Sequence, residues 1–254
     1  MISLMYYLTK SDYLLPHRLL PQPLPREMDI HFSGQDSRES FVRNIKKQPI
    51  DWKYRTKKVT YSLNKQFYRA PEWNTIDWKN SVVVLGCSNV FGIGLSEDET
   101  ISYQLEKILA RPVINLGAGG TGMSFAMNNS VLLNKNFPTP WAVITIWSDP
   151  NRIHEFITGS EIKHYTAKTH ANSFSRAWGD SEINPEMYSY FACKSTEAIW
   201  SHKTKYLSYS HWAPLTGEAI SSLPFIEGDL ARDMMHPGSE MAHAAAKTLA
   251  EKLK

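Results

Sequence analysis

Ser88 sits in a Gly86-Cys87-Ser88 turn directly after the apolar run Val82-Val83-Val84-Leu85. A serine on such a turn projects from the carboxyl edge of a sheet, where the nucleophiles of α/β hydrolytic enzymes sit; its other reading is a cap for the helix that follows. A nucleophilic serine needs a base within hydrogen-bond reach, and the base needs an acidic partner that fixes its tautomer. Asp233-Met234-Met235-His236-Pro237 can supply both from one constrained turn, with the proline suited to a first helical turn. Read without chemistry, the same residues are a solvated loop pair. Asn115-Leu116-Gly117-Ala118-Gly119-Gly120 is the third feature. Its glycines let backbone N–H groups approach a ligand closely, which suits an oxyanion hole or a phosphate cradle. No Gly-Lys-Ser/Thr follows, so it is not a Walker A loop. Gly117, Gly119 and Gly122 also satisfy G-x-G-x-x-G, but after the second strand and without the acidic residue that a dinucleotide site places further on.

Strands and helices must hold these residues. Val82–Leu85, Val113–Leu116 and Trp141–Trp147 are short apolar runs of the kind covered on both faces of a sheet. Ser96 with Glu99 reads as a capping box opening a helix, which Ile101, Leu105, Ile108 and Leu109 stripe and Arg111-Pro112 stops. A second helix is predicted around Ser124–Leu133 and a third within 183–204, before a strand near Tyr206–Tyr209. An alanine-rich amphipathic helix runs from Gly238 to Leu253. Strands alternating with helices imply βαβ units and a mainly parallel sheet. Ligands of such sheets bind at the carboxyl ends of the strands, where every unusual turn above falls.

The chain has 254 residues, with 28 Lys and Arg against 25 Asp and Glu, a net charge of +3. With 42% hydrophobic and 21% charged residues it is neither disordered nor a low-complexity fibre. Cys87 and Cys193 are too few for a disulfide framework and form no C-x-x-C zinc motif. No run approaches the roughly 18 apolar residues that cross a bilayer. Met1–Leu8 is apolar but has no basic residue before it, so a soluble, cytoplasmic chain without a signal peptide is expected. Residues 1–80 read as an irregular extension on a main domain spanning 81–254. Pro16, Pro21, Pro23 and Pro25 disfavour helix there, and Val59, Tyr61 and Leu63 alternate with polar residues as a half-buried strand would. Between Arg38 and Arg69 ten basic residues face two acidic ones, interleaved with Phe41, Trp52, Tyr54, Tyr61, Phe67 and Tyr68. Such a segment either stacks on the bases of a polyanion or docks its rings on the main domain; the small net charge favours docking, and nucleic acid is not an expected partner. His154, His164 and His170 lack a helical i, i+4 pair, so no metal site is expected. His243 reads as a packed helix residue.

The order Gly86-x-Ser88, Asn115 to Gly120, a strand ending at Asp149, and Asp233-x-x-His236-Pro237 resembles the SGNH (GDSL-type) hydrolases over roughly residues 80–254. These are esterases, lipases and carbohydrate deacetylases on a flavodoxin-like three-layer α/β/α fold. The resemblance implies Ser88 as nucleophile, Cys87 standing where the family has Asp, and His236 as base with Asp233 as its helper. It implies oxyanion donors at the N–H groups of Ser88 and Gly120, a small-molecule or glycan ester as substrate, and no cofactor or metal. The family's third block carries an Asn whose amide also donates; here Asp149 stands in its place, so either a protonated Asp149 serves, or Asn151 or Ser148 donates instead, or only the two backbone donors remain, with Asn151 favoured because Pro150 turns the chain back. Trp147, beside that position, is expected to touch substrate. Asn64-Lys65-Gln66-Phe67-Tyr68-Arg69 is similar to an Asn-x-x-Gly-Phe/Tyr-Arg segment preceding the catalytic domain of some bacterial members, with Gln66 read as replacing its glycine.

Overall fold

The computed structural model describes residues 29–158, 161–166, 183–211 and 220–254; Met1–Leu8, the prolines from Pro16 to Pro25, and His170 lie outside them. In chain order the elements are β1 (Asp29–Ile30), α1 (Arg38–Lys47), β2 (Tyr61–Ser62), β3 (Val82–Gly86), α2 (Ser88–Phe91), α3 (Ile101–Leu109) and β4 (Val113–Gly117). Then come α4 (Met123–Asn136), β5 (Ala142–Trp147), β6 (Arg152–Thr158), β7 (Glu161–Thr166), α5 (Ile183–Trp200), β8 (Lys205–Ser210) and α6 (Ser239–Leu253). The central sheet runs β4-β3-β5-β8, all parallel. β1 with β2, and β6 with β7, form small antiparallel pairs.

The alternation of side chains along a strand builds the layers. Val83 and Leu85 point to one side, into a core shared with Phe125, Leu132 and Leu133 of α4 and Trp200 of α5. Val82 and Val84 point to the other, against Ile101 and Leu105 of α3 and Ala245, Ala246 and Leu249 of α6. The fold is therefore the expected three-layer α/β/α with a parallel sheet. β3 lies between β4 and β5, so the chain winds outward in both directions from β3, which makes its carboxyl end the switch point where ligands of such sheets bind.

Local departures have local causes. The Ser96–Glu99 capping box forms, with Glu99 Oε2 accepting from Ser96 N at 3.1 Å and Ser96 Oγ at 2.8 Å, but it closes only one 3₁₀ turn. Thr100 is extended (ψ 154°), and its hydroxyl, accepting from Tyr103 N at 3.2 Å, starts α3 separately. Val59 and Tyr61 are buried as their alternation predicts, yet the paired strand is only Tyr61–Ser62, because β1 offers just two residues. α1 and the β6–β7 hairpin lie where the sequence offers no legible pattern. His243 is exposed on α6, not packed, and its Nδ1 lies 2.8 Å from Gln104 Oε1.

The aromatic residues of the basic segment turn inward. Trp52 lies between Phe41 (6.2 Å) and Tyr54 (5.3 Å), Tyr61 stacks on Phe91 (5.8 Å), and Tyr68 meets Trp73 (5.6 Å). Tyr54, Tyr61 and Tyr68 are buried, which leaves their rings no face for a base. Asn64 Oδ1 accepts from the N–H groups of Gln66 and Tyr68 at 3.0 Å each, closing a tight turn. The left-handed residue of that turn is Phe67 (φ 66°), so its glycine position is Phe67 and not Gln66. No helix among the described residues is long and apolar enough to cross a membrane.

Candidate active site

β3 ends at Gly86, and Ser88 opens the single-turn helix α2, closed by Phe91 N to Cys87 O (3.0 Å) and Gly92 N to Ser88 O (2.9 Å). Three neighbours hold this turn. Asn115 on β4 donates from Nδ2 to Val90 O at 2.8 Å and accepts from Gly117 N at 2.9 Å. Gly117 lets α2 rest on the strand end, since a Cβ there would stand 2.2 Å from Phe91 N. Arg69, its side chain fully covered, donates Nη1 to the carbonyls of Phe91 (3.2 Å), Gly92 (2.9 Å) and Leu95 (3.1 Å), and Nε to Glu97 Oε2 (2.9 Å). Within this frame Ser88 Oγ lies 4.0 Å from Cys87 Sγ, and the residue is 5% exposed.

The Asp233–His236 turn is closed on itself. Asp233 Oδ2 lies 2.5 Å from His236 Nδ1, while Oδ1 accepts from the N–H groups of Met235 and His236 at 3.1 Å each. Ala231 N donates to His236 O at 2.9 Å, and Met234 adopts a left-handed backbone (φ 60°) to make the bend. Beyond it, Asp229 accepts from Gly238 N through its carbonyl (2.9 Å) and from Met241 N through Oδ2 (2.7 Å), which anchors the start of α6. A carboxylate on Nδ1 keeps the proton there and leaves Nε2 as the acceptor.

The turns adjoin. Arg232 N donates to Gly94 O at 3.1 Å, and a Cβ on Gly94 would lie 2.8 Å from Ala231 Cβ. A second bridge runs through the N-terminal segment: buried Asp36 accepts from Arg232 Nε (2.9 Å) and Nη2 (2.6 Å) and from Tyr61 Oη (2.5 Å), and Tyr61 Oη accepts from Gly94 N (2.7 Å). Nothing in the sequence motifs marks Asp36 or Arg232.

His211, just past the end of β8, is also absent from the motifs. It is buried near His236, and burial, with the His236 charge second, pushes its pKa down to about 4. It stays neutral where an ordinary histidine would gain a proton.

The remaining expected residues lie along the same sheet edge. Gly120 follows β4 in an exposed, left-handed turn (φ 72°), preceded by buried Gly119 and Ala118. At the end of β5, Asp149 Oδ1 accepts from both Asn151 N and Asn151 Nδ2 at 2.9 Å. Pro150 does bring Asn151 back, but the amide turns onto Asp149. Ser148 Oγ, by contrast, is buried with no hydrogen-bond partner. The start of β6 touches the glycine turn, since a Cβ on Gly122 would stand 2.1 Å from Arg152 O. Trp147 corrects the expectation of a substrate contact. It is fully buried in the α4–α5 side core, with Nε1 donating to Ser208 Oγ at 2.8 Å. The last residue of a strand alternates like the others, and here it points into the layer of α4 and α5. Of the three histidines weighed as metal ligands, His154 and His164 are register partners across the β6–β7 hairpin.

The sequence matches no family model, and no curated protein matches it. Among solved structures, the chain is similar to a lipolytic protein of the G-D-S-L family from Desulfitobacterium hafniense, at 13% identity and TM-score 0.37 over 68% of this chain and 99% of that one. It is also similar to an acetyl xylan esterase from the rumen bacterium Butyrivibrio proteoclasticus, at 15% identity and TM-score 0.45 over 78% of this chain and 67% of that one.

Proposed function

We propose that the protein is a serine hydrolase of ester bonds, with Ser88 as nucleophile, His236 as general base and Asp233 as the group that orients it. The observation that carries this reading is the 2.5 Å Asp233–His236 pair on a turn bonded, through Arg232 N and Gly94 O, to the loop that follows Ser88. Ser88 Oγ rotates from the Cys87 sulfur toward His236 Nε2, a tightening common when substrate arrives. It attacks the acyl carbon while Nε2 takes its proton. The tetrahedral oxyanion is met by the N–H groups of Ser88 and Gly120 and by the Ser148 hydroxyl. Ser148 replaces Asn151 in that role because its Oγ is unengaged, whereas the Asn151 amide is turned onto Asp149. An ionised Asp149 cannot itself hold an oxyanion, since like charges in a dry pocket repel. The alkoxide leaves with the proton from His236, and a water, activated by the same base, releases the acyl group from Ser88.

A short-chain aryl ester tests the reading. Wild type turns it over, and Ser88→Ala reduces turnover to background; equal rates for the two proteins would remove Ser88 from the reaction.

A further inference from the structure

Residues 62–72, the first turns of α3 and the amino end of β4 enclose a cavity of about 500 Å³, a volume within the range of small-molecule sites. Ser62, Pro71, Glu97 and Pro112 in its wall are exposed and give it an open mouth, while Ser102 and Ile114 are buried at its floor. It lies at the end of β4 opposite to the glycine turn, so it is a site apart from the proposed chemistry.

Glu72, Glu97 and Glu106 all line this cavity, and each is fixed through one oxygen. Glu72 Oε1 accepts from Lys65 N (3.0 Å), Glu97 Oε2 from Arg69 Nε (2.9 Å) and Glu106 Oε2 from Val113 N (3.0 Å). The second oxygen of each has no protein partner among the described residues. Arg69, also in the wall, spends Nε on Glu97, Nη1 on Gly92 O and Nη2 on Thr60 O, so it offers little to an anion.

Ser102 is an independent mark of a ligand. The residue is 3% exposed, and its Oγ is buried with no hydrogen-bond partner. Ile101 and Leu105 turn into the core beneath α6, whereas Ser102 and Glu106, one residue further on and four apart, share the neighbouring face of α3 and line the cavity together. Folded proteins rarely leave a buried hydroxyl unmet, and an alanine would serve the helix as well. The oxygen is therefore an acceptor for a donor that enters the cavity. Among the described residues no three His, Cys, Asp or Glu side chains come together as a metal site would require, so the fitting cation is an extended one. Leu63, Ala70 and Ile114 supply apolar wall for methylene groups.

We propose that this cavity binds an aliphatic polyamine. Its ammonium groups meet the free oxygens of Glu72, Glu97 and Glu106, one of them donates to Ser102 Oγ, and its methylenes pack on the apolar wall.

Spermidine, titrated calorimetrically into the full chain at constant ionic strength, tests this. Wild type should bind it saturably, one per chain, and gain in Tm as ligand is added. Glu106→Gln keeps an oxygen for Val113 N and should weaken binding by about tenfold or more; Glu72→Gln serves if that variant does not fold. Ser102→Ala should weaken it to a similar extent, as for loss of one hydrogen bond to a charged group. Glu251→Gln, at the exposed end of α6, removes the same charge elsewhere and should bind as wild type. Absence of saturable binding overturns the proposal, as does unchanged affinity in Ser102→Ala. Equal weakening by Glu251→Gln also overturns it, because the attraction would then be diffuse. Magnesium binding that the Glu106 and Ser102 variants abolish would make the cavity a metal site and refute the polyamine.

Discussion

The backbone turns carrying Ser88 and His236 are held by side chains from elsewhere in the fold, although the Asn89 amide on the first of them is unmet, whereas the chain after β5 is not held in this way. Arg69, Asn115, Asp36 and Tyr61 together meet carbonyls, N–H groups and a guanidinium along residues 88–95 and 231–236. Between β5 and β6, Ser148 Oγ and Arg152 Nη1 are buried without partners, and Asp149 accepts from Asn151. On the proposed hydrolase reading the difference has a reason: groups that break and form covalent bonds must keep their geometry, so the fold over-determines them. Groups that meet a charge developing on substrate have no partner until substrate is bound. The contrast also gives the N-terminal segment a role beyond covering apolar surface, since two of the strongest holds on the turns, Arg69 and Asp36, come from it.

Breaking the held pair has the largest expected effect. His236→Ala should lower ester turnover by on the order of 10⁴-fold, close to the loss in Ser88→Ala, because the two act as one unit. Asp233→Asn should lose less, since its Oδ1 can still accept from Met235 and His236 N–H. A His236→Ala protein that retains a tenth of wild-type turnover would separate the turn from the chemistry.

The hold itself comes next. Asp36→Ala leaves Arg232 buried without its carboxylate and frees Tyr61 Oη, and should reduce stability by about 3–5 kcal/mol in urea unfolding. Catalysis should fall with it at temperatures where the protein stays folded. A loss under about 1 kcal/mol would mean that Arg232 finds water or another acceptor.

The open end sharpens the contrast. Ser148→Ala should lower kcat by about a hundredfold to a thousandfold, as expected for removal of one oxyanion donor, while Asn151→Ala stays within about threefold. The reverse ordering would restore Asn151 as the donor.

The smallest effect is on stability against pH. Since the folded pKa of His211 is about 4 against an ordinary 6.5, the unfolded chain binds more protons between those values. Its contribution is full above about pH 6.5 and declines as pH falls toward 4. His211→Gln should flatten that part of the unfolding profile; an unchanged slope would place the acid sensitivity elsewhere.

Three of the four strands of the sheet are legible because β3, β4 and β5 are short, nearly continuous apolar runs buried on both faces, whereas β8, with Lys205, Ser208 and Ser210, carries a weaker signal. The Asp233-x-x-His236 spacing was legible because one turn contains both partners. Asp36, Arg232 and His211 were not, because their partners lie far away in sequence: Asp36 and Arg232 are 196 positions apart. The role of Arg69 could be guessed only from the segment that contains it. Trp147 departs from the expectation because the alternation of β5 turns its ring into the core of α4 and α5. Asn151 misled because a proline turn fixes where the chain goes and not what the amide bonds.

Covalent capture tests the central claim most directly. Wild type treated with a fluorophosphonate should gain one adduct in intact-mass spectra, and peptide sequencing should place it on Ser88, with no adduct on Ser88→Ala and slow labelling of His236→Ala. An adduct on another serine, or equal labelling of Ser88→Ala, would contradict the account.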